Sequence, residues 1–325
     1  PILFGDIAPE RGPPAKGSGL GIAGAVGITI INDSTLAYIA TTAPVAADDL
    51  TVEATNNTWL LSVTGGAVLA RPGASPPSSS TSLAGAFSLV IATQTTRALV
   101  IGPSLDVDGP MTVKATRGGT AVTLSIGVGL EFSKASGGTT IAGNISVNVL
   151  TSDTEALVDG VTGAVGGDLS ITAADTIEII AIGGGVAIGQ QTGVGASLGA
   201  NVIDADVAAA LRGATTNISV AGALVVTTTN DKTLRSVSVS AGATKDSAYA
   251  FTISINIVLG TTAATISGAT IDGPTRVQVK ASDESNLQAI AGALGLGLEG
   301  NGLGGALGWN QVGITTTAGI IDATL

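Results

Sequence analysis

The chain contains no cysteine and no histidine, and both absences restrict its chemistry. Without cysteine it has neither disulfides nor a thiolate nucleophile. Without histidine it lacks the usual general base and the commonest metal ligand, so a Ser-His-Asp triad cannot form within it. These absences favour a protein that is not an enzyme.

Aromatic and charged residues are also scarce, at 2% and 11% of 325 residues. The core must therefore be built from small aliphatic side chains, which suit flat stacked strands because large rings do not tile there. The net charge of −11 leaves no basic stripe that would neutralise phosphates, so we expect no nucleic-acid partner. The longest apolar runs, such as 289–298, are about half the length that a membrane-spanning helix needs, and we expect no membrane span.

What the chain has in abundance is repetition, with a period that falls from 61 to 53 residues. An apolar-x-apolar-x-small segment begins in turn at Leu50, Met111, Leu169, Leu224 and Val277. Much of the change in period comes from one loop, which shrinks from 71–82 to 299–302. Such columns predict an all-β, elongated β-solenoid of about six repeats, in which Leu50, Val52 and Ala54 point inward. Whether each repeat is one wide coil or two or three narrower ones stays open.

The local patterns within each repeat favour strands and turns. Phe251 to Leu259 alternates apolar residues with Thr252, Ser254 and Asn256, which predicts a half-buried strand. Further short strands are expected beside it, such as 50–54 and 60–63. The Asp-Gly-Pro segments at 106–110 and 271–274 predict turns, since Asp bonds its own backbone and Pro presets φ.

A second column consists of asparagines. Asn148, Asn201, Asn256 and Asn310 are 53, 55 and 54 residues apart, and Asn32 is expected to fill the same place in the first unit. One interpretation is a ligand-binding stripe. The one that we favour is a structural ladder, in which side-chain amides bond one another along the stack.

Calcium is the one cofactor that the sequence brings into consideration. Asp106 and Asp108, or Asp204 and Asp206, offer the oxygen ligands that Ca²⁺ prefers. Neither an EF-hand loop nor the nonapeptide of calcium-binding β-rolls is present, and turn formation explains these aspartates without a metal. We therefore expect no cofactor.

Residues 1–19 differ from the rest and predict an extended Pro/Gly-rich arm, whereas 20–325 predict a single repetitive domain. The first unit begins at its long strand near Gly19, and neither end carries a polar cap. Two interpretations follow, a segment of a longer repeat polypeptide or a subunit that stacks head to tail on copies of itself. In the second, Ile2, Leu3, Phe4 and Ile7 of the arm contact a neighbouring subunit as an added strand.

The repeat text at 288–297, followed by Trp309-Asn310 and by 316–321, resembles the repeat regions of large bacterial surface adhesins. These are of the filamentous-haemagglutinin-like and filamentous leukotoxin-like kind. The resemblance implies secretion, a β-solenoid rod, and a role in adhesion or extracellular structure at the bacterial cell surface.

Three functions remain open at this point. The first is a non-catalytic subunit or segment of a bacterial extracellular filament. The second is an adhesin rod that binds a host or glycan surface through variable loops such as 71–82. The third is a polysaccharide-acting enzyme that works with carboxylates alone.

Overall fold

The computed structural model describes residues 2–4, 19–70, 80–132 and 137–325, and every regular element in them is a parallel β-strand. Sheet A has the spatial order β1 (Ile2–Phe4), β4 (Leu50–Ala70), β7 (Met111–Glu131), β10 (Leu169–Ile188), β13 (Ala223–Thr244) and β16 (Arg276–Gly297). Sheet B has the order β2 (Gly19–Ala40), β5 (Ser80–Ile101), β8 (Gly138–Asp159), β11 (Thr192–Arg212), β14 (Ser247–Ser267) and β17 (Gly302–Ile321). Sheet C has the order β3 (Val45–Ala47), β6 (Ser104–Val107), β9 (Thr162–Val165), β12 (Asn217–Val220) and β15 (Thr270–Asp272).

Each repeat is one wide coil, which settles the question that the sequence left open. The chain runs along a sheet A strand, turns into a sheet B strand, and returns through a short sheet C strand. Strands of 20 to 22 residues make the cross-section about 70 Å long, and six rows at the strand spacing rise about 29 Å. The molecule is therefore a β-solenoid with an elongated cross-section.

The strand register confirms the predicted columns. Leu50 pairs with Met111, Met111 with Leu169, Leu169 with Leu224, and Leu224 with Val277. The variable loop falls at the turn from sheet A to sheet B in each coil whose turn is described. Residues 71–79 of its longest copy lie outside the described residues.

Two predicted breaks within the strands are wrong. The segments 50–54 and 60–63 are parts of the single strand β4, because the residues between them stay in register with β7. Likewise β14 continues beyond Leu259, the last residue of the strand predicted at 251–259, and passes through Gly260 at a φ of 144°. That backbone angle favours glycine, which absorbs the local distortion without ending the strand.

The main hydrophobic core lies where sheet C holds sheets A and B apart. It contains the predicted inward residues Val52 and Ala54, with Val107 of sheet C and Val100 from the end of β5. Three walls leave room there for branched side chains, so this half of each coil is packed in the ordinary way. We call it the core half, and we call the half next to the A-to-B turns the thin half.

In the thin half, sheets A and B pack directly against each other. Glycine residues make the short distance between the two backbones possible. A Cβ built on Gly66 would lie under 3.0 Å from the carbonyl oxygen of Gly85. The same close approach recurs in the next coils between Gly127 and Gly143, and between Gly185 and Ala196. Since a methyl group would not fit there, these inward positions of the thin half accept only glycine.

The strand alternation in the thin half is confirmed, but its polar side faces inward. Thr252 and Ser254 of β14 are 2% and 0% exposed, whereas Phe251 and Ile253 are 47% and 41% exposed. The cause is the narrow gap between the sheets, which favours small inward side chains and directs most of the large apolar ones outward. Both outer faces of the thin half are consequently aliphatic.

Candidate functional site: open strand edges, polar columns and an apolar belt

The lower end of the stack presents two long strand edges. Among the described strands, β16 pairs only with β13, and β17 pairs only with β14. An edge of this kind offers a row of backbone donors and acceptors to a further parallel strand. At the upper end β2 is the corresponding edge of sheet B.

The N-terminal arm contributes a strand to the upper end of sheet A. Ile2, Leu3 and Phe4 form β1 and pair in parallel with Leu61–Val63 of the chain's own β4. Over these three residues β1 occupies the sheet A row that belongs to the same coil as β2 and β3. Ile7, the fourth residue predicted for the arm, lies outside the described residues.

The asparagine column forms a chain of amide hydrogen bonds inside the thin half. Asn148 Nδ2 donates to Asn201 Oδ1 at 2.7 Å, and Asn201 Nδ2 donates to Asn256 Oδ1 at 2.9 Å. Asn256 Nδ2 donates to Asn310 Oδ1 at 3.0 Å. Asn148, Asn201 and Asn256 are at most 1% exposed, whereas Asn310 is exposed at the lower edge. Every bond points the same way along the stack, so Asn310 is the place where the column would continue.

The prediction for Asn32 is wrong. Asn32 pairs with Thr93, and both residues belong to an outward column. The place above Asn148 is taken by Val90, and the place above Val90 by Thr29.

A second buried column, which sequence reasoning missed, consists of charged and polar residues. Arg117 Nη1 donates to Asp175 Oδ1 at 3.1 Å, and both side chains are at most 1% exposed. Arg117 also bonds the amide oxygen of Gln94, and Ser152 Oγ donates to Asp175 Oδ2 at 2.5 Å.

Two coils further along, Lys232 Nζ donates to Asp283 Oδ2 at 2.6 Å, and Thr262 donates to the same oxygen at 2.8 Å. Each of these four buried charges thus has an opposite charge in a neighbouring coil. Such pairs fix the register of stacked strands because a displaced strand would leave an unpaired charge in the interior. In the sequence, this column is indicated only by charged residues at inward-facing positions. Those positions can be recognised only after the register of the strands is known.

The carboxylates considered for calcium do not come together. Asp106 lies in β6 between Ala46 and Ala164 of the neighbouring coils, so no second acid stacks on it. Asp108 is exposed at the turn after β6. Within the described ranges, no group of three or more acidic side chains is arranged to hold a metal ion.

Asp204 and Asp206 lie on the outer face of β11, outside the buried column. Partial burial raises the pKa of Asp204, the neighbouring carboxylate of Asp206 raises it further, and Lys232 opposes both effects. Asp206 Oδ1 accepts hydrogen bonds from the backbone nitrogen and the hydroxyl of Thr261 at 2.8 and 2.7 Å. Asp206 therefore has a structural role in joining two coils.

The aliphatic exterior of the thin half is an extended exposed surface, which we call the apolar belt. On sheet A it comprises Leu61, Val63, Ala67, Leu69, Val122, Leu124, Ile126, Val128, Leu130, Ile180, Ile182, Val186, Ile188, Val237, Val239, Ile290, Leu294 and Leu296. On sheet B it comprises Leu20, Ile22, Val26, Ile28, Ile30, Leu83, Phe87, Leu89, Ile91, Ile141, Ile145, Val147, Val149, Val194, Leu198, Val202, Tyr249, Phe251, Ile253, Ile255, Ile257, Leu303, Leu307 and Trp309. The large apolar residues that alternate with small polar ones in 251–259 were the sequence signal for this surface.

Comparison with known proteins identifies no relative of this chain. No protein-family model matches the chain, and no curated protein and no solved structure matches it either. The part of the chain that the structure describes contains no helix long and apolar enough to cross a membrane.

Proposed function

We propose that this chain is a non-catalytic structural unit of a bacterial extracellular filament, in which copies stack head to tail through their open strand edges. The observation that carries the proposal is the lower edge formed by β16 and β17. Because every strand is parallel, adding a coil from a second copy repeats the step that joins successive coils within the chain. The placement in a bacterial extracellular filament rests on the adhesin-like repeat text.

Head-to-tail stacking is a heterologous contact that does not close, so it produces filaments rather than dimers. In sheet B the β17 edge of one copy receives β2 of the next. In sheet A the β16 edge receives the row that contains β1, so the arm lies between its own β4 and the neighbour's β16. The asparagine column ends at Asn310 on the same edge, where its side chain becomes buried in the contact.

The test places a charge inside the proposed contact. Asn310→Lys puts an ammonium group at an inward position of β17, which would be buried without a partner when copies stack. Thr315→Lys adds the same charge at an outward position of the same strand and is the matched control. The measurement is electron microscopy of the purified proteins, with sedimentation velocity over a range of concentrations.

We expect fibres from the unmodified chain and from Thr315→Lys, and no fibres from Asn310→Lys. Removal of residues 1–18 is expected to shorten or abolish the fibres, because it leaves a gap in sheet A. Circular dichroism before assembly checks that each variant is folded. Fibres of equal length from both lysine variants would contradict stacking through this edge.

A further inference from the structure

We propose that a second copy of this chain packs its sheet B belt against the sheet A belt of the first, side by side and shifted by one coil along the stack. This lateral contact is independent of the head-to-tail contact and uses a different surface.

The area of each belt face suits a protein partner. About ten residues of each strand contribute, so a face measures about 33 Å along the strands and about 29 Å across six rows. The product is roughly 900 Å², whereas a stable interface needs about 800 Å² from each partner. An aliphatic surface of this size also exceeds the largest patch of a typical monomer, about 300–600 Å².

The chain cannot cover the belt by itself, because the interior of the thin half has no room for it. Gly66, Gly127 and Gly185 bring the two sheets into backbone contact, and the side chains around them are small. No charged residue occupies an outward belt position from Leu61 to Leu69 in β4 or from Val122 to Leu130 in β7. The sheet A belt therefore suits a partner surface that is also apolar and uncharged. The sheet B belt of another copy is such a surface.

The two faces complement each other in shape. The sheet A face carries a groove of about 460 Å³ over Gly184 and Gly292, walled by Ile182, Val239 and Leu294. The sheet B face carries Phe251 in a column of small residues, between Ala196 and Gly305, so its ring stands above its neighbours. The ring is 47% exposed.

The groove and the ring lie at matching positions. Gly184 precedes the end of β10 by as many residues as Ala196 follows the start of β11, and Ala196 pairs with Phe251. Both features are therefore equally far from the A-to-B turns. In the coil of Phe251 the sheet A column carries Val239, and Gly292 follows one coil below it. A sideways translation combined with a shift of one coil along the stack therefore brings the Phe251 ring over Gly292, with the strands of the two contacting sheets nearly aligned as in other face-to-face sheet packings.

The test begins from Asn310→Lys, in which head-to-tail stacking is blocked. In that background Phe251→Ser removes the ring, and Gly292→Leu fills the groove. A Cβ on Gly292 meets only Val239 Cγ1, at 3.5 Å, so the backbone at this position has room for a side chain, and circular dichroism checks that the variant is folded. The matched control is Phe132→Ser, because Phe132 is 55% exposed just after β7 and outside the belt.

Sedimentation velocity of Asn310→Lys is expected to show association that rises with concentration. Phe251→Ser and Gly292→Leu should each raise the apparent dissociation constant by at least about tenfold, and Phe132→Ser should not. Mixing the Phe251→Ser and Gly292→Leu proteins should yield discrete heterodimers, since one keeps the groove and the other keeps the ring.

Three outcomes would overturn the lateral contact. The first is a monomeric Asn310→Lys protein at all concentrations. The second is a monomer that floats with phosphatidylcholine vesicles, which would assign the belt to lipid. The third is association that neither belt substitution weakens. If Asn310→Lys still forms fibres that Phe251→Ser only makes thinner, head-to-tail stacking through Asn310 fails while the lateral contact stands.

Discussion

At the residue scale, buried polar side chains hold the coils in register. The asparagine column and the Arg117–Asp175 pair connect successive coils through bonds that only one alignment of the strands allows. Aliphatic columns alone specify alignment weakly, because Val, Ile, Leu and Ala fit one another in many registers. The polar columns therefore supply specificity to a chain whose core is otherwise uniform.

The asparagine column can be tested at Asn201, which donates to Asn256 and accepts from Asn148. Asn201→Ala removes the donor to the buried amide oxygen of Asn256 and one of the acceptors of the Asn148 amide, so we expect a loss of about 1–3 kcal/mol in the free energy of unfolding. Urea denaturation followed by circular dichroism measures it. Asn57→Ala at an exposed position is the control and should change the free energy by less than about 0.5 kcal/mol. Equal effects of the two substitutions would show that the column does not stabilise the fold.

Asp204 gives a prediction about pH. Its pKa is raised by burial and by Asp206, so the folded protein binds this proton more tightly than the unfolded chain does. Ionisation of Asp204 above the raised pKa therefore destabilises the fold. Asp204→Asn should raise the thermal midpoint at pH 7, and the difference should vanish below the unfolded pKa of about 3.9.

The control for Asp204→Asn is Asp231→Asn, which makes the same change of charge on the outer face of β13. It reports any general effect of lowering the net negative charge. A gain in thermal midpoint that is identical at pH 3 and pH 7 would contradict the explanation from ionisation.

At the scale of elements, the sequence predicted strands, columns and the variable turn, because each depends on local pattern. It did not reveal that 50–54 and 60–63 are one strand, since that continuity depends on pairing with β7. It also did not reveal which side of 251–259 faces inward. An alternating pattern indicates only that the two sides of a strand differ in polarity. The distance between the two sheets determines which side can face the interior.

The close approach of the two sheets can be tested at Gly185. A Cβ there would lie under 3.0 Å from the carbonyl oxygen of Ala196, so Gly185→Ala must push the sheets apart. We expect a marked fall in the thermal midpoint, measured by circular dichroism. Gly24→Ala is the control, since a Cβ at Gly24 has no atom within 4 Å. A neutral result at Gly185 would contradict the direct contact of sheets A and B.

At the scale of the whole molecule, two surfaces at right angles to each other remain open. The strand edges face along the stack, and the apolar belt faces sideways. In the proposed assembly, stacking through the edges would lengthen a filament, and packing through the belt would thicken it. The net charge of −11 opposes both kinds of association and makes them sensitive to salt.

X-ray fibre diffraction from aligned assemblies tests the central claim most directly. If copies stack head to tail, every strand lies across the filament, and a reflection near 4.7–4.8 Å appears along the fibre axis. Asn310→Lys should give no aligned fibres from which to record it. A reflection of that spacing perpendicular to the fibre axis, with none along it, would mean that the strands run along the filament and would contradict the account.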